Sequence, residues 1–187
     1  FVGVALVGLL SAGCFNPVSQ ASGWSGASPT DDGLYVGSRH GKVVAFDPGT
    51  GERLWVYPRG DDVIKPIYST PAVDANNVYV GGGDGSGEGK VFALDVATGE
   101  PIRGASQTVG IPSTDITLVE NKLIVGSNDG DRGTVTAFDK TSGKRIWKFP
   151  KDDQSPIGKI YSSPVSDGER VYFGTMDGRL IALSLAR

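Results

Sequence analysis

Short apolar runs alternate along the chain with polar, glycine-bearing turns, and the alternation repeats over a long period. Four segments share one form: Leu34-Tyr35-Val36-Gly37, Val78-Tyr79-Val80-Gly81, Leu123-Ile124-Val125-Gly126 and Val171-Tyr172-Phe173-Gly174. Their closing glycines are 44, 45 and 48 residues apart. After each comes a polar turn and a second apolar run: Val43-Val44-Ala45-Phe46-Asp47, Val91-Phe92-Ala93-Leu94-Asp95, Val135-Thr136-Ala137-Phe138-Asp139 and Leu180-Ile181-Ala182-Leu183-Ser184. Three of these lead into a further turn, Gly49-Thr50-Gly51-Glu52, Ala97-Thr98-Gly99-Glu100 and Thr141-Ser142-Gly143-Lys144. Upstream of the glycine segments stand Ile67-Tyr68-Ser69-Thr70-Pro71 and Ile160-Tyr161-Ser162-Ser163-Pro164, with looser versions at Gly23–Ala27 and Pro112–Ile116.

Short apolar runs at regular spacing, with turn residues between them and no helical period, predict β-strands. Four strands per unit is the layout of a propeller blade, and stacked blades bury faces that one blade leaves wet. The expected fold is therefore all-β, a β-propeller of four-stranded antiparallel blades. The units lie near 23–58, 67–103, 112–150 and 160–187, the last one incomplete. The 28 glycines and 11 prolines agree with many tight turns.

Residues 1–30 carry no charged side chain. The apolar run Phe1–Leu10 followed by Ser11-Ala12-Gly13-Cys14 reads as an export or anchor segment. Its ending resembles a bacterial lipobox, in which the cysteine is acylated before cleavage. Residues 1–14 are accordingly expected to be a signal/lipobox or membrane-anchor segment with Cys14 as lipidation site, and 15–22 a flexible linker. An uncleaved apolar helix and an ordinary cleaved signal are the alternatives.

Net charge is −3 and no Lys/Arg cluster forms, so a nucleic-acid partner is not expected. One cysteine and one histidine exclude an internal disulfide and a Cys/His zinc site. His40, in Ser38-Arg39-His40-Gly41, reads as a turn residue. The adjacent acids Asp61-Asp62 and Asp152-Asp153 read as solvated connectors between units. The oxygen- and glycine-rich stretches Gly82–Gly89 and Ser127–Gly133 lack the spacing of a calcium loop and read as long hairpin turns. No catalytic or metal-ligating residue is assigned.

The pattern Ala45-Phe46-Asp47-x-x-Thr50-Gly51-x-x-x-Trp55, repeated as Ala137-Phe138-Asp139-x-x-Ser142-Gly143-x-x-x-Trp147, resembles the tryptophan-docking motif of PQQ-like β-propeller repeat proteins. The resemblance implies that a Trp on the outermost strand packs between adjacent blades. The interblade docking residues it implies are Asp47, Gly51, Trp55, Asp95, Gly99, Asp139, Gly143 and Trp147. Unit 2 departs from the motif, with Pro101-Ile102-Arg103 where Trp would stand, and unit 4 has Ser184 in the Asp place. The family's rings usually have more blades than four. A part of a larger propeller, a four-bladed ring and closure by a partner chain are all open.

The family's dehydrogenases hold pyrroloquinoline quinone near a vicinal cysteine pair, with Ca²⁺ on Glu, Asn and Asp; this sequence has neither set. A lipobox ahead of such blades resembles instead the non-catalytic lipoproteins of outer-membrane assembly. The expected function is a membrane-tethered, exported scaffold without cofactor, binding protein partners in a bacterial envelope. A PQQ-dependent dehydrogenase or part of one is the first alternative. The second is an extracellular ligand-sensing module that uses Tyr68 and Tyr161.

Overall fold

The computed structural model describes residues 25–60, 64, 67–83, 88–102, 104, 106–152 and 155–186. Among them every regular element is a strand. Blade 1 is the antiparallel meander β1 (Ala27–Pro29), β2 (Leu34–Gly37), β3 (Val43–Phe46) and β4 (Arg53–Tyr57). Blade 2 follows as β5 (Ala72–Val73), β6 (Asn77–Gly83), β7 (Gly89–Asp95) and β8 (Gln107–Val109). A short strand β9 (Ile111–Pro112) then pairs with the end of β11 in blade 3. Blade 3 itself is β10 (Thr117–Val119), β11 (Lys122–Asp129), β12 (Arg132–Asp139) and β13 (Arg145–Phe149), with β14 (Ile157–Gly158) on β12. Blade 4 has three strands, β15 (Val165–Ser166), β16 (Arg170–Gly174) and β17 (Leu180–Ser184). The all-β propeller architecture expected from the repeat is the one observed.

Alternation sorts each central hairpin into two apolar faces. One face carries Tyr35, Val43 and Ala45 in blade 1, Tyr79, Val91 and Ala93 in blade 2, and Ile124, Val135 and Ala137 in blade 3. The other carries Val78, Val80, Phe92 and Leu94 in blade 2, and Leu123, Val125 and Phe138 in blade 3. Each first face packs on the second face of the following blade, giving three separate cores at the three joints. Burying each Val or Leu at these joints is worth ~1.5–3 kcal/mol, and no isolated blade could collect it.

Two local features differ from expectation. Blade 2's outer strand is not confined to the Pro101–Arg103 region: Pro101 makes one bridge to Leu94, and regular pairing resumes only at Gln107, opposite Val91. Blade 1 pairs Val43 with Tyr57, so blade 2 carries two extra residues here. Proline donates no ladder bond and Gly104 turns the chain at φ 78°, which breaks the strand. The Ser127–Gly133 stretch is ladder rather than a long turn, because Ser127, Asn128 and Asp129 pair with Thr134, Gly133 and Arg132. Gly130, at φ 54°, and Asp131 alone make the turn.

The turn after the third strand is built identically in blades 1 and 2. Asp47 Oδ1 accepts from the Gly49 and Thr50 amides at 2.9 and 2.7 Å, and the Gly51 amide donates to Asp47 O at 2.9 Å. Asp95 Oδ1 accepts from Ala97 and Thr98 at 3.1 and 2.8 Å, and Gly99 closes the same way. Gly51 and Gly99 share a left-handed backbone, φ 73° and 70°, yet their surroundings differ. A Cβ on Gly51 would meet nothing, whereas one on Gly99 would lie 2.5 Å from Trp55 of the preceding blade.

This pair separates backbone strain from interblade contact. Gly51→Ala is expected to cost roughly 1–2 kcal/mol from strain alone. Gly99→Ala should cost a further ~1–3 kcal/mol, because the indole must move. Urea unfolding of the two variants measures the difference; equal midpoints would mean that Trp55 does not press on Gly99.

Candidate interaction surface

Polar clamps recur one blade apart along the inner segments. Ser69 Oγ both accepts from the Gly81 amide (3.1 Å) and donates to its carbonyl (3.2 Å), and Ser162 does the same to Gly174 at 2.9 and 3.0 Å. Thr114 is held on Gly126 in the same way. Neighbouring residues then reach across the joints. Ser28 Oγ donates to Pro71 O, and Thr117 Oγ1 donates to Pro164 O. The Thr70 amide donates to Asp115 Oδ1 at 2.6 Å, and the Asp115 amide to Ser163 Oγ at 3.2 Å. Asn128 acts as a surrogate strand between blades 3 and 4. Its Oδ1 accepts from Ile160 N at 2.8 Å, while its Nδ2 donates to Ile160 O at 3.0 Å and to Ser113 Oγ at 2.7 Å. No motif in the sequence marks Asn128 or Asp115 for this duty.

Of the residues singled out by the docking motif, Trp55, Gly99 and Trp147 lie at the joints. Trp55 is 7% exposed and its Nε1 donates to Val96 O of blade 2 at 3.0 Å. Trp147 is equally buried against Leu183 and Leu185 of blade 4, but its Nε1 has no hydrogen-bond acceptor among the described residues. Asp139 Oδ1 accepts from the Ser142 amide and hydroxyl, both at 2.7 Å, and the Gly143 amide donates to Asp139 O at 2.8 Å. The Thr50 amide and hydroxyl hold Asp47 below the usual carboxylate range, the Thr98 hydroxyl and amide do so for Asp95, and the Ser142 amide and hydroxyl for Asp139.

The joint between blades 2 and 3 is held differently. Lys140 of blade 3 forms a 2.7 Å ion pair with Asp74 of blade 2, both side chains largely covered. Asp74 Oδ1 also accepts from the Asn76 and Asn77 amides, each at 2.9 Å. Burial pushes the Asp74 carboxyl up, but the Lys140 hydrogen bond and the two amides outweigh it and leave the pKa lowered. Tyr79, against this pair, is pushed up to about 12, chiefly by burial.

Beside the β2–β3 and β11–β12 turns, the inner segments of three blades border a cavity of about 730 Å³. Tyr68, Ile111 and Tyr161 line it while remaining 47, 52 and 57% exposed. Tyr68 and Tyr161 hold equivalent positions, each fixed by the clamped serine that follows it. Arg39 and Lys159 supply positive charge, Lys159 being tied to Asp131 at 2.8 Å with its pKa raised by that bond. Aromatic and aliphatic side chains around an arginine have the composition of a protein-contact hot spot. The geometry suits contact.

Of the other residues named from sequence, His40 is exposed in the β2–β3 turn and Asp152 is exposed after β13. Cys14, Asp61, Asp62, Arg103, Asp153 and the centre of the Gly82–Gly89 stretch lie outside the described residues. Among the described residues no three His, Cys, Asp or Glu side chains converge as a metal site would require.

Comparison with known proteins agrees with the propeller fold and returns both outer-membrane assembly factors and quinohemoprotein dehydrogenases. A family model described as "Outer membrane protein assembly factor BamB" matches residues 16–149. The BamB of Kangiella koreensis is 27% identical over 168 residues, covering 84% of this chain and 39% of that protein. The quinohemoprotein alcohol dehydrogenase ADH IIB of Pseudomonas putida is 33% identical over 135 residues, covering 64% of this chain and 19% of that protein. Among solved structures, BamB from Moraxella catarrhalis superposes with a TM-score of 0.62 at 22% identity, covering 84% of this chain and 47% of that one. The chain thus spans about a fifth to two fifths of the length of these curated relatives.

The Asp74–Lys140 pair gives the middle joint a pH dependence. A carboxyl whose folded pKa is lowered stabilises the fold above its unfolded value and loses that contribution as pH falls through the folded one. Lys140→Met should cost about 1 kcal/mol at neutral pH, with the difference from wild type shrinking as pH falls through the lowered Asp74 pKa. Thermal unfolding across that range tests this, and a pH-independent difference would contradict it.

Proposed function

Because the chain belongs to the BamB family of PQQ-like β-propellers, we propose that it is a non-catalytic scaffold for a protein partner in outer-membrane assembly. The observation that carries this reading is the match to that family over residues 16–149. Support comes from the rim of Tyr68, Ile111 and Tyr161 beside Arg39, an aromatic and cationic surface held rigidly by clamped inner strands. Such a rim suits a partner loop that brings apolar side chains and an acidic group. Lipidation at Cys14 would place the blades beside a bacterial membrane on its exported side. In the same reading Asp47, Gly51, Trp55, Asp95, Gly99, Asp139, Gly143 and Trp147 are structural, docking one blade on the next.

A second reading, a segment of a quinohemoprotein dehydrogenase, is favoured by the 33% identity to the Pseudomonas putida enzyme. The two readings predict opposite results. Purified from bacterial envelopes, the scaffold co-isolates in fixed ratio with a component of the β-barrel assembly machinery. Combining Tyr68→Ala with Tyr161→Ala should then lower recovery at least about tenfold, a loss of ~1.4 kcal/mol, without shifting the unfolding midpoint. Dye reduction on adding pyrroloquinoline quinone, Ca²⁺ and an alcohol, with no co-isolating component, would overturn the scaffold in favour of the enzyme.

A further inference from the structure

Two of the three joints are plugged near their outer strands by a pair of rings. Tyr57 of blade 1 meets Phe92 of blade 2 with centroids 6.2 Å apart, and Phe149 of blade 3 meets Phe173 of blade 4 at 6.4 Å. Tyr57 stands opposite Val43 in its own sheet, and Phe149 opposite Val135. In blade 2 the residue opposite the equivalent Val91 is Gln107. Across the joint, the place that Phe92 holds opposite Val80 is taken in blade 3 by Thr136, opposite Val125. Two polar side chains thus replace two rings between blades 2 and 3, an internal joint with four strands on either side.

Where rings would pack, this joint holds a cavity of about 800 Å³. That lies within the range of small-molecule sites, roughly 300–1,000 Å³. Gln107 and Thr108 of β8 line it, facing Thr134, Thr136 and Phe138, which alternate along one face of β12. Thr136 is 5% exposed and Gln107 half-buried, so the joint itself fixes both. The charges are sorted along the same face. Arg145 and Lys148 of the outer strand line one end, opposite Phe138 and Thr136. Those two positions are roughly 7 Å apart along β12. No acid among the described residues forms an ion pair with either cation. Glu88, just before β7, and Asp129, beside Arg132, border the other end. A guanidinium fork and an ammonium at such a spacing suit a phosphate held between them. Carboxylates at the far end repel a second anion and accept hydrogen bonds from hydroxyls.

We propose that the cavity between blades 2 and 3 binds a phosphorylated sugar. Its phosphate lies between Arg145 and Lys148, and its hydroxyls face Gln107, Thr108 and Thr136. The sorted charges set this direction, anion toward the outer strand and hydroxyls toward the acidic end. The site does not rest on the scaffold reading, since Arg145 and Lys148 border no part of the Tyr68–Tyr161 rim.

Calorimetric titration of the full chain in mild detergent with glucose 6-phosphate should show one site per chain. Glucose alone and inorganic phosphate alone each carry half of the recognised chemistry, and should bind at least about tenfold more weakly. Arg145→Gln and Lys148→Gln should each raise the dissociation constant for glucose 6-phosphate at least about tenfold. Lys151→Gln, at an exposed cation outside the cavity, should leave it unchanged. Gln107→Tyr restores the ring that blades 1 and 3 carry at this place, and should abolish binding without lowering the unfolding midpoint. No binding of glucose 6-phosphate, or inorganic phosphate binding as tightly, would each overturn the proposal. So would binding that survives both charge variants or the Gln107→Tyr plug.

Discussion

The structure depends on one constraint: a propeller blade has two apolar faces and cannot bury either alone. Everything repeated in this sequence serves the joint at which two such faces meet. Alternation along the second and third strands makes both faces apolar, as with Tyr79, Val91 and Ala93 on one side of blade 2 and Val78, Val80, Phe92 and Leu94 on the other. Small residues at the alanine position let the sheets approach, and Gly37 and Gly81 of the second strands sit against the next inner segment, a Cβ on Gly37 falling 2.5 Å from Ile67. At Gly81 a Cβ would lie 2.7 Å from Pro112 of the following unit. Stability of the array is thus a sum of neighbour terms, and each joint can be tuned without altering the blades themselves.

The three joints show that tuning. The first is closed by an indole whose N–H reaches a backbone carbonyl, Trp55 to Val96. The second lacks the tryptophan and uses a covered Asp74–Lys140 pair. The third keeps Trp147, whose Nε1 meets no acceptor among the described residues, and adds the Asn128 clamp on Ile160. An indole stacked on a left-handed glycine works at any pH, whereas a carboxylate–ammonium pair weakens in acid. Apolar burial is common to all three, and the polar device decides how each joint responds to conditions.

What the sequence made legible follows from the same logic. Period, strand count and the Asp-x-x-Thr-Gly turn are local, because an aspartate binding amides two and three residues on needs no partner from elsewhere. Trp55 and Trp147 were visible because their spacing from that turn is fixed. Asn128, Asp115 and Lys140 were not, because each acts across a joint on a residue about 30 to 66 positions away. An asparagine in an apparently polar turn gives no sign that it will sit in a ladder and imitate a strand. Blade 2's outer strand was misplaced for a related reason. Pro101 and Gly104 break the local pattern, and pairing resumes through contacts with Gly89–Val91 that no short window contains.

The candidate surface also grows out of the joint. Clamping Ser69 and Ser162 on the backbone of the following strand fixes the residue before each, so Tyr68 and Tyr161 are displayed on a rigid frame rather than on mobile loops. Side chains already ordered lose little further entropy when a partner arrives, which favours recognition by a few exposed aromatics. Among the described residues the blades converge hydroxyls, amides and apolar rings, and those hydroxyls and amides are spent on holding neighbours. The polar groups that reach across the joints thus make the frame rigid, and the exposed rings of Tyr68 and Tyr161 stand on it.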